Sequence, residues 1–184
     1  LKKAWANVLA KKINNSGTKY EYILKDQFFN GTNDIDIDLL EGLTIGEVSI
    51  LYEYSLAHNN RDKRAEEGQY FTPDDVAQLM SKKSDMFPKG IWVDPCSGVG
   101  NLSYWLIERQ KNKEDFLLNN ILFIDKDELA LFIARTLFTL EFQDKKNNLF
   151  VCLEKKFILA DFLEADNLPS YDYAILNPPY VATN

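Results

Sequence analysis

Asn177-Pro178-Pro179-Tyr180 puts two hydrogen-bond acceptors and a stacking ring within four residues. An amino nitrogen on a heteroaromatic base is a poor nucleophile, because its lone pair is delocalised into the ring. Acceptors that engage both of its N–H groups would help localise that pair. The Asn177 side-chain oxygen and the Pro178 carbonyl can be those acceptors, and consecutive prolines fix the backbone that presents them. Tyr180 can stack on the base once it has been flipped out of a duplex. Chemistry of this kind rests on electrostatic placement, not on a strong general base. Without such a role, the same four residues form a rigid turn at the end of a strand.

A second group precedes it. Asp94-Pro95-Cys96-Ser97-Gly98-Val99-Gly100 reads as a tight turn from a strand into a helix. Gly98 and Gly100 remove side chains where a ligand must approach the backbone, and the helix N-terminus offers unpaired N–H groups. With Ser103 the spacing nearly completes Gly-x-Gly-x-x-Gly, so the loop indicates a nucleoside cofactor without choosing which. Asp125 is placed to hold ribose hydroxyls in either case.

These residues need a scaffold. From Gly90 onward, apolar runs at 91–93, 121–124, 157–160 and 173–176 alternate with helical patterns, which predicts a parallel sheet flanked by helices. Leu102, Trp105 and Leu106 share one helical face, and Leu129, Phe132, Ile133, Leu137 and Leu140 another. The stretch 147–156 blurs the start of the third strand. Each predicted strand runs into a polar side chain: Asp94, Asp125, Asp161 and Asn177. Singly, such residues are helix caps or turn formers. In an open parallel sheet the carboxyl ends share one edge, so the four are expected to meet in one crevice.

Upstream, Thr72, Pro73 and Asp75 read as N-cap, first-turn proline and capping-box acid of a helix that runs to about Lys83. Helical spacing also dominates before Glu67. The expected organisation is a small helical domain over residues 1–67 and an α/β core over 68–184, with the boundary near Gly68.

Composition allows one sizeable core: 184 residues, 46% apolar and 13% aromatic. Cys96 and Cys152 are too far apart in sequence, and too few, for a disulfide framework or a zinc site, which suits a reducing cytoplasm. Cys96 reads as a small packed residue, Trp5, Trp92 and Trp105 as packing residues, and His58 as a surface residue. No apolar run nears the roughly 18 residues of a membrane span, so a soluble protein is expected. Leu1 in place of Met, and an end at Val-Ala-Thr-Asn soon after the Pro-Pro turn, are read as cuts in a longer chain. The net charge of −7 implies poor phosphate binding by this chain alone. Its Lys-Lys pairs are interleaved with acids and read as solvated faces.

Taken in order, Gly68-Gln69-Tyr70-Phe71-Thr72-Pro73, the 94–100 loop, Asp125, Asp161-Phe162 and Asn177-Pro178-Pro179-Tyr180 resemble the motifs of gamma-class adenine-N6 DNA methyltransferases. Tyr52-Glu53-Tyr54 leading into 68–73 is similar to the modification subunit of type I restriction-modification systems, and related single-chain restriction-methylation enzymes share this core. The likeness spans roughly residues 48–180. It implies the Rossmann-like sheet of S-adenosylmethionine-dependent methyltransferases, truncated here and preceded by a small helical domain. It also implies methyl transfer to the N6 amino group of adenine in DNA.

By that resemblance Tyr70, Phe71, Thr72 and Pro73 would close over S-adenosylmethionine. Asp94, Pro95, Gly98, Val99 and Gly100 would hold its methionine part, Asp125 its ribose, and Asp161 with Phe162 its adenine. Asn177, Pro178, Pro179 and Tyr180 would hold the target base. The implied partners are double-stranded DNA, reached through parts outside this chain or a separate specificity subunit, and a restriction subunit; no membrane or metal is implied. Cys96-Ser97 departs from the family's usual Ala-Cys or Ala-Ala. Protein-glutamine or RNA amino methylation, and a catalytically inactive cofactor-binding or assembly fragment, remain as alternatives. A nicotinamide oxidoreductase has no use for Asn177 to Tyr180. This chain alone is expected to be inactive, with an exposed sheet edge at 173–176.

Overall fold

A computed structural model describes residues 1–59, 72–87 and 89–178. Its centre is a four-stranded sheet: β1 (Trp92–Asp94), β2 (Ile121–Asp125), β3 (Phe157–Leu159) and β4 (Tyr173–Ala174), in the order β3-β2-β1-β4. Every pairing is parallel, with Val93 opposite Leu122 and Ala174, and Phe123 opposite Phe157. β2 is apolar on successive residues because both its faces are covered. Leu122 and Ile124 join Val93 on one face, while Phe123 lies on the other, stacked on Phe157 with ring centroids 4.3 Å apart. The chain adds β2 and β3 on one side of β1, then crosses to add β4 on the other. That reversal puts a topological switch point at the end of β1, where open α/β sheets bind ligands.

Around the sheet lie α1 (Lys2–Ser16), α2 (Ile45–Asn59), α3 (Asp74–Lys83), α4 (Asn101–Glu108), α5 (Lys113–Asn119), α6 (Glu128–Phe142) and the short α7 (Leu149–Cys152). α1 buries Trp5, Ala6, Leu9, Ala10 and Ile13, a three-and-four spacing that lays one stripe against the core. Between α1 and α2, 3-10 turns at Thr18–Lys25 and Gln27–Phe29 reach onto α6: Tyr20 Oη donates to the Leu140 carbonyl at 2.8 Å, and Phe28 stacks on Phe132 at 3.7 Å. One continuous apolar cluster joins Leu9 and Ile13 of α1, Val48 and Tyr52 of α2, and Phe123 and Phe138 beneath the sheet. Among the described residues no helix is long and apolar enough to cross a membrane.

The elements differ from their sequence patterns in several places, among them a β3 that stops at Leu159 and a β4 confined to Tyr173–Ala174. β1 starts one residue late, because the Ile91 N–H donates to the Asp172 carboxylate and the Ile91 carbonyl accepts from both Asp172 and Tyr173. Two helices, not one, join β1 to β2, since Asn112 caps a new start at α5 by accepting from the Asp115 N–H. Of the face predicted for α6 only Ile133 is buried, while Leu129, Phe132, Leu137 and Leu140 are half-buried. Ala130, Leu131, Ala134, Thr136, Phe138, Thr139 and Phe142 are buried along with Ile133, because the sheet covers one side and the N-terminal elements the other. Finally, Thr72 does not cap α3: Pro73 holds that position, α3 has no side-chain cap, and Asp75 bonds only to the adjacent Val76 N–H. β4 is an edge strand, with Ala174 exposed and Tyr173 packed on Trp92 and Phe87.

Candidate functional site

Asp94 ends β1 almost wholly buried, at 1% exposure. Its carboxylate accepts from Ser103 Oγ at 2.5 Å. Burial pushes its pKa up to about 7 and the nearby Asp125 charge adds to the rise, against the opposing hydrogen bonds from Ser103 and the Cys96 backbone. The turn that follows is pinned to the next strand: the Ser97 N–H donates to the Ile124 carbonyl at 3.0 Å, and the Gly98 N–H to Asp125 Oδ2 at 2.7 Å.

The two glycines of this turn serve different ends. Gly98 has φ 51° and open space where a Cβ would stand, so the backbone faces the cavity. Gly100 has φ 91°, and a Cβ there would lie 2.6 Å from Phe138 Cζ; its missing side chain is explained by packing against α6. Gly100→Ala is expected to cost about 2 kcal/mol, from strain at positive φ and overpacking against Phe138, read as a lower urea midpoint.

Asp125 ends β2. Its Oδ2 accepts from Gly98, its Oδ1 accepts from the Asp127 N–H at 2.9 Å, and burial raises its pKa. Asp127 caps α6, with Oδ1 accepting from the Leu129 and Ala130 N–H groups, and its Oδ2 accepts the Tyr52 hydroxyl at 2.5 Å. Tyr52 reaches in from α2, packed edge-on to Trp5 at 5.5 Å; burial and then the Asp127 bond push its phenol upward. After β3, Asp161 Oδ1 accepts from the Leu163 N–H at 3.0 Å, which turns the chain and sets Phe162 against the cavity. After β4, Asn177 Nδ2 donates to Thr72 Oγ1 at 2.9 Å, while Asn101 Nδ2 donates to the Thr72 carbonyl at 2.7 Å.

All four polar strand ends open on one cavity of about 440 Å³. Of the residues predicted to form the site, Thr72, Asp94, Pro95, Gly98, Val99, Asp125, Asp161, Phe162, Asn177 and Pro178 line it, whereas Pro73 and Gly100 do not. Tyr70, Phe71, Pro179 and Tyr180 lie outside the described residues. Sequence reasoning passed over Ser97, Asn101, Asp127 and, as a site residue, Tyr52. An N-cap acid before an apolar helix made Asp127 findable. No local pattern ties Tyr52 to a partner 75 residues away.

The cavity is built for a ligand with both polar and apolar parts. Ser97 Oγ and Asn101 Oδ1 are buried with no hydrogen-bond partner among the described residues, and both residues line it. A buried polar atom left unpaired costs roughly 1–3 kcal/mol, so these two mark polar positions for a ligand. Leu56, Val99, Leu102 and Phe162 supply apolar wall. Glu53, Asp94, Asp125, Asp127 and Asp161 line it with Lys126 as the one base among the described residues. Such a set favours hydroxyls and cations and repels a pyrophosphate. Among the described residues no group of three or more histidine, cysteine or acidic side chains is placed to hold a metal ion.

A parallel sheet with a glycine turn and buried carboxylates at its switch point defines an α/β protein with a ligand-sized crevice at its strand ends. More particularly, the chain belongs to the N-6 DNA methylase family, which matches residues 44–184 and so takes in α2 with Tyr52. The reaction of that family is methylation of DNA. No curated protein matches this chain.

Proposed function

We propose that the protein transfers a methyl group from S-adenosylmethionine to the N6 amino group of adenine in DNA, within a restriction-modification system in the cytoplasm. The observation that carries this reading is that Asn177 and Pro178 open on the same cavity as Asp94, Asp125 and Asp161. S-adenosylmethionine bound there supplies an electrophilic methyl on a cationic sulfur. The acidic lining suits that charge and the methionine ammonium, as it would not suit the pyrophosphate of a dinucleotide.

Asp125 would accept from the ribose hydroxyls, Asp94 and Asn101 from the ammonium, and Ser97 would donate to the methionine carboxylate. Phe162 and Asp161 would bracket the adenine of the cofactor. Asn177 Oδ1 and the Pro178 carbonyl would accept from the two N–H groups of the target adenine, directing its lone pair at the methyl. Access to that base requires it to leave the duplex, and Tyr180 follows in sequence as the stacking ring. A net charge of −7 supports a reading in which other parts of the enzyme or a specificity subunit bind the phosphates, with a restriction subunit as the further partner.

The test is calorimetric titration of S-adenosylmethionine into this chain and an Asp125→Ala variant, with NADH as control, followed by tritium transfer to DNA by the enzyme assembled with its DNA-recognising parts, and identification of the methylated base. Asp125→Ala should weaken binding roughly tenfold to a hundredfold, since it removes charge-assisted bonds to the ligand and to the Gly98 turn. NADH binding in place of S-adenosylmethionine would sink the reading, and methylcytosine as product would change its target.

A further inference from the structure

Thr72 occupies the sequence position of a helix cap but spends its hydroxyl elsewhere. Among the described residues no N-cap side chain bonds to the start of α3; instead Thr72 Oγ1 accepts from Asn177 Nδ2 at 2.9 Å. The Thr72 carbonyl is held from the other side by Asn101 Nδ2 at 2.7 Å. Asn101 is itself buried, at 5% exposure, it lines the cavity, and its Oδ1 has no partner among the described residues. Thr72 therefore joins the first turn of α4 to the amide that follows β4, an amide 105 residues from Thr72 in sequence.

The chemistry gives this link a purpose. A carboxamide has a donor end and an acceptor end, and a half-turn exchanges them. Holding an amino group requires the oxygen end to face the substrate, so the nitrogen end needs an acceptor behind it. The Thr72 hydroxyl is that acceptor. Its β-branched side chain restricts χ1, and the following Pro73 biases the Thr72 backbone toward extended conformations. The platform is stiffer than a serine or a water would be.

Resting on the methyl-transfer reading above, we propose that Thr72 is a positioning residue for Asn177: anchored by Asn101, its hydroxyl fixes the Asn177 amide with the oxygen end toward the target amino group. The role is distinct from closing over the cofactor, and the two predict different effects. Thr72→Val keeps the shape and removes the acceptor; Thr72→Ser keeps the acceptor. In Thr72→Val, kcat for methyl transfer by the enzyme assembled with its DNA-recognising parts should fall roughly a hundredfold, the size of loss expected from a misplaced reacting group. The calorimetric affinity for S-adenosylmethionine should hold, and Thr72→Ser should recover most of the rate.

A readout independent of turnover is the Asn177 side-chain amide pair in nitrogen-15 spectra, assigned by its disappearance in Asn177→Asp. That signal should move in Thr72→Val and stay in place in Thr72→Ser. Unchanged kcat in Thr72→Val, or a loss of kcat matched by lost cofactor affinity with the Asn177 signal unmoved, would overturn the proposal. If wild type neither binds S-adenosylmethionine nor transfers methyl, the functional reading fails. The amide signal alone then decides the Thr72 contact, a shift upholding it and none refuting it. Should Thr72→Val not fold, Thr72→Ala against Thr72→Ser makes the same comparison.

Discussion

Asn177→Ala is expected to lower kcat for methyl transfer by roughly a hundredfold to a thousandfold, the range seen when one preorganised hydrogen-bonding group is removed from a reacting centre. Binding of S-adenosylmethionine should be nearly untouched, because Asp94, Asp125 and the Gly98 turn hold the other parts of the cavity. Stability should change little as well. Asn177 is only part-buried, and its bond to Thr72 is worth about 1 kcal/mol. Asn177→Asp separates acceptor from donor. It keeps oxygen acceptors, replaces the bond donated to Thr72 by one that the Thr72 hydroxyl can donate, and adds a negative charge to a cavity already lined by five acidic residues. An intermediate rate is expected. Single-turnover transfer alongside calorimetry makes the division between chemistry and binding visible. An alanine variant with wild-type kcat would move the amino-group acceptor to another residue.

Much of this site was legible because it is set by backbone topology. A strand that is apolar on successive residues and ends in Asp or Asn announces both its burial and its exit edge. Four of them in alternation with helices leave one arrangement in which Asp94, Asp125, Asp161 and Asn177 meet. The cavity contains all four. The family match over residues 44–184 agrees with the ordered motifs from which the DNA methyltransferase reading was drawn.

What stayed hidden concerns which neighbour a given atom meets. Thr72 satisfies the local pattern of a cap, yet its hydroxyl bonds to Asn177 and α3 goes without a side-chain cap. Local rules weigh one helix end in isolation, and here a tertiary partner won. Gly100 looked like a glycine serving a ligand. The ring it makes room for, Phe138, is far along the chain and unreadable from the turn. The same holds for Tyr52: its helical spacing records that it is buried, but not that its hydroxyl ends on Asp127. The α4–α5 break was missed for a smaller reason, an Asn112 cap in a polar stretch without glycine or proline.

The fully buried Asp94 should make the free protein more stable in mild acid than at neutral pH. Its carboxyl has an ordinary value of 3.8 and is raised to about 7 in the folded chain, chiefly by burial. Between those values the native state holds a proton that the unfolded state has released. Stability is therefore full below about pH 4 for this group and falls as pH rises toward 7. The loss is on the order of 4 kcal/mol if the whole shift is expressed. The rise at Asp125, also caused by burial, acts in the same direction. Asp94→Asn should remove most of this slope and be the more stable protein at pH 8, since its amide oxygen can still accept from Ser103 Oγ. Urea unfolding at a series of pH values measures the slope directly. A cationic ligand reverses the balance, because an ammonium beside Asp94 favours the carboxylate. Binding of S-adenosylmethionine at pH 7 should then release about half a proton, seen as a dependence of calorimetric enthalpy on buffer ionisation, and affinity should weaken below pH 7. Proton release that persists in Asp94→Asn would place the titrating group elsewhere in the cavity, with Asp125 the first to examine.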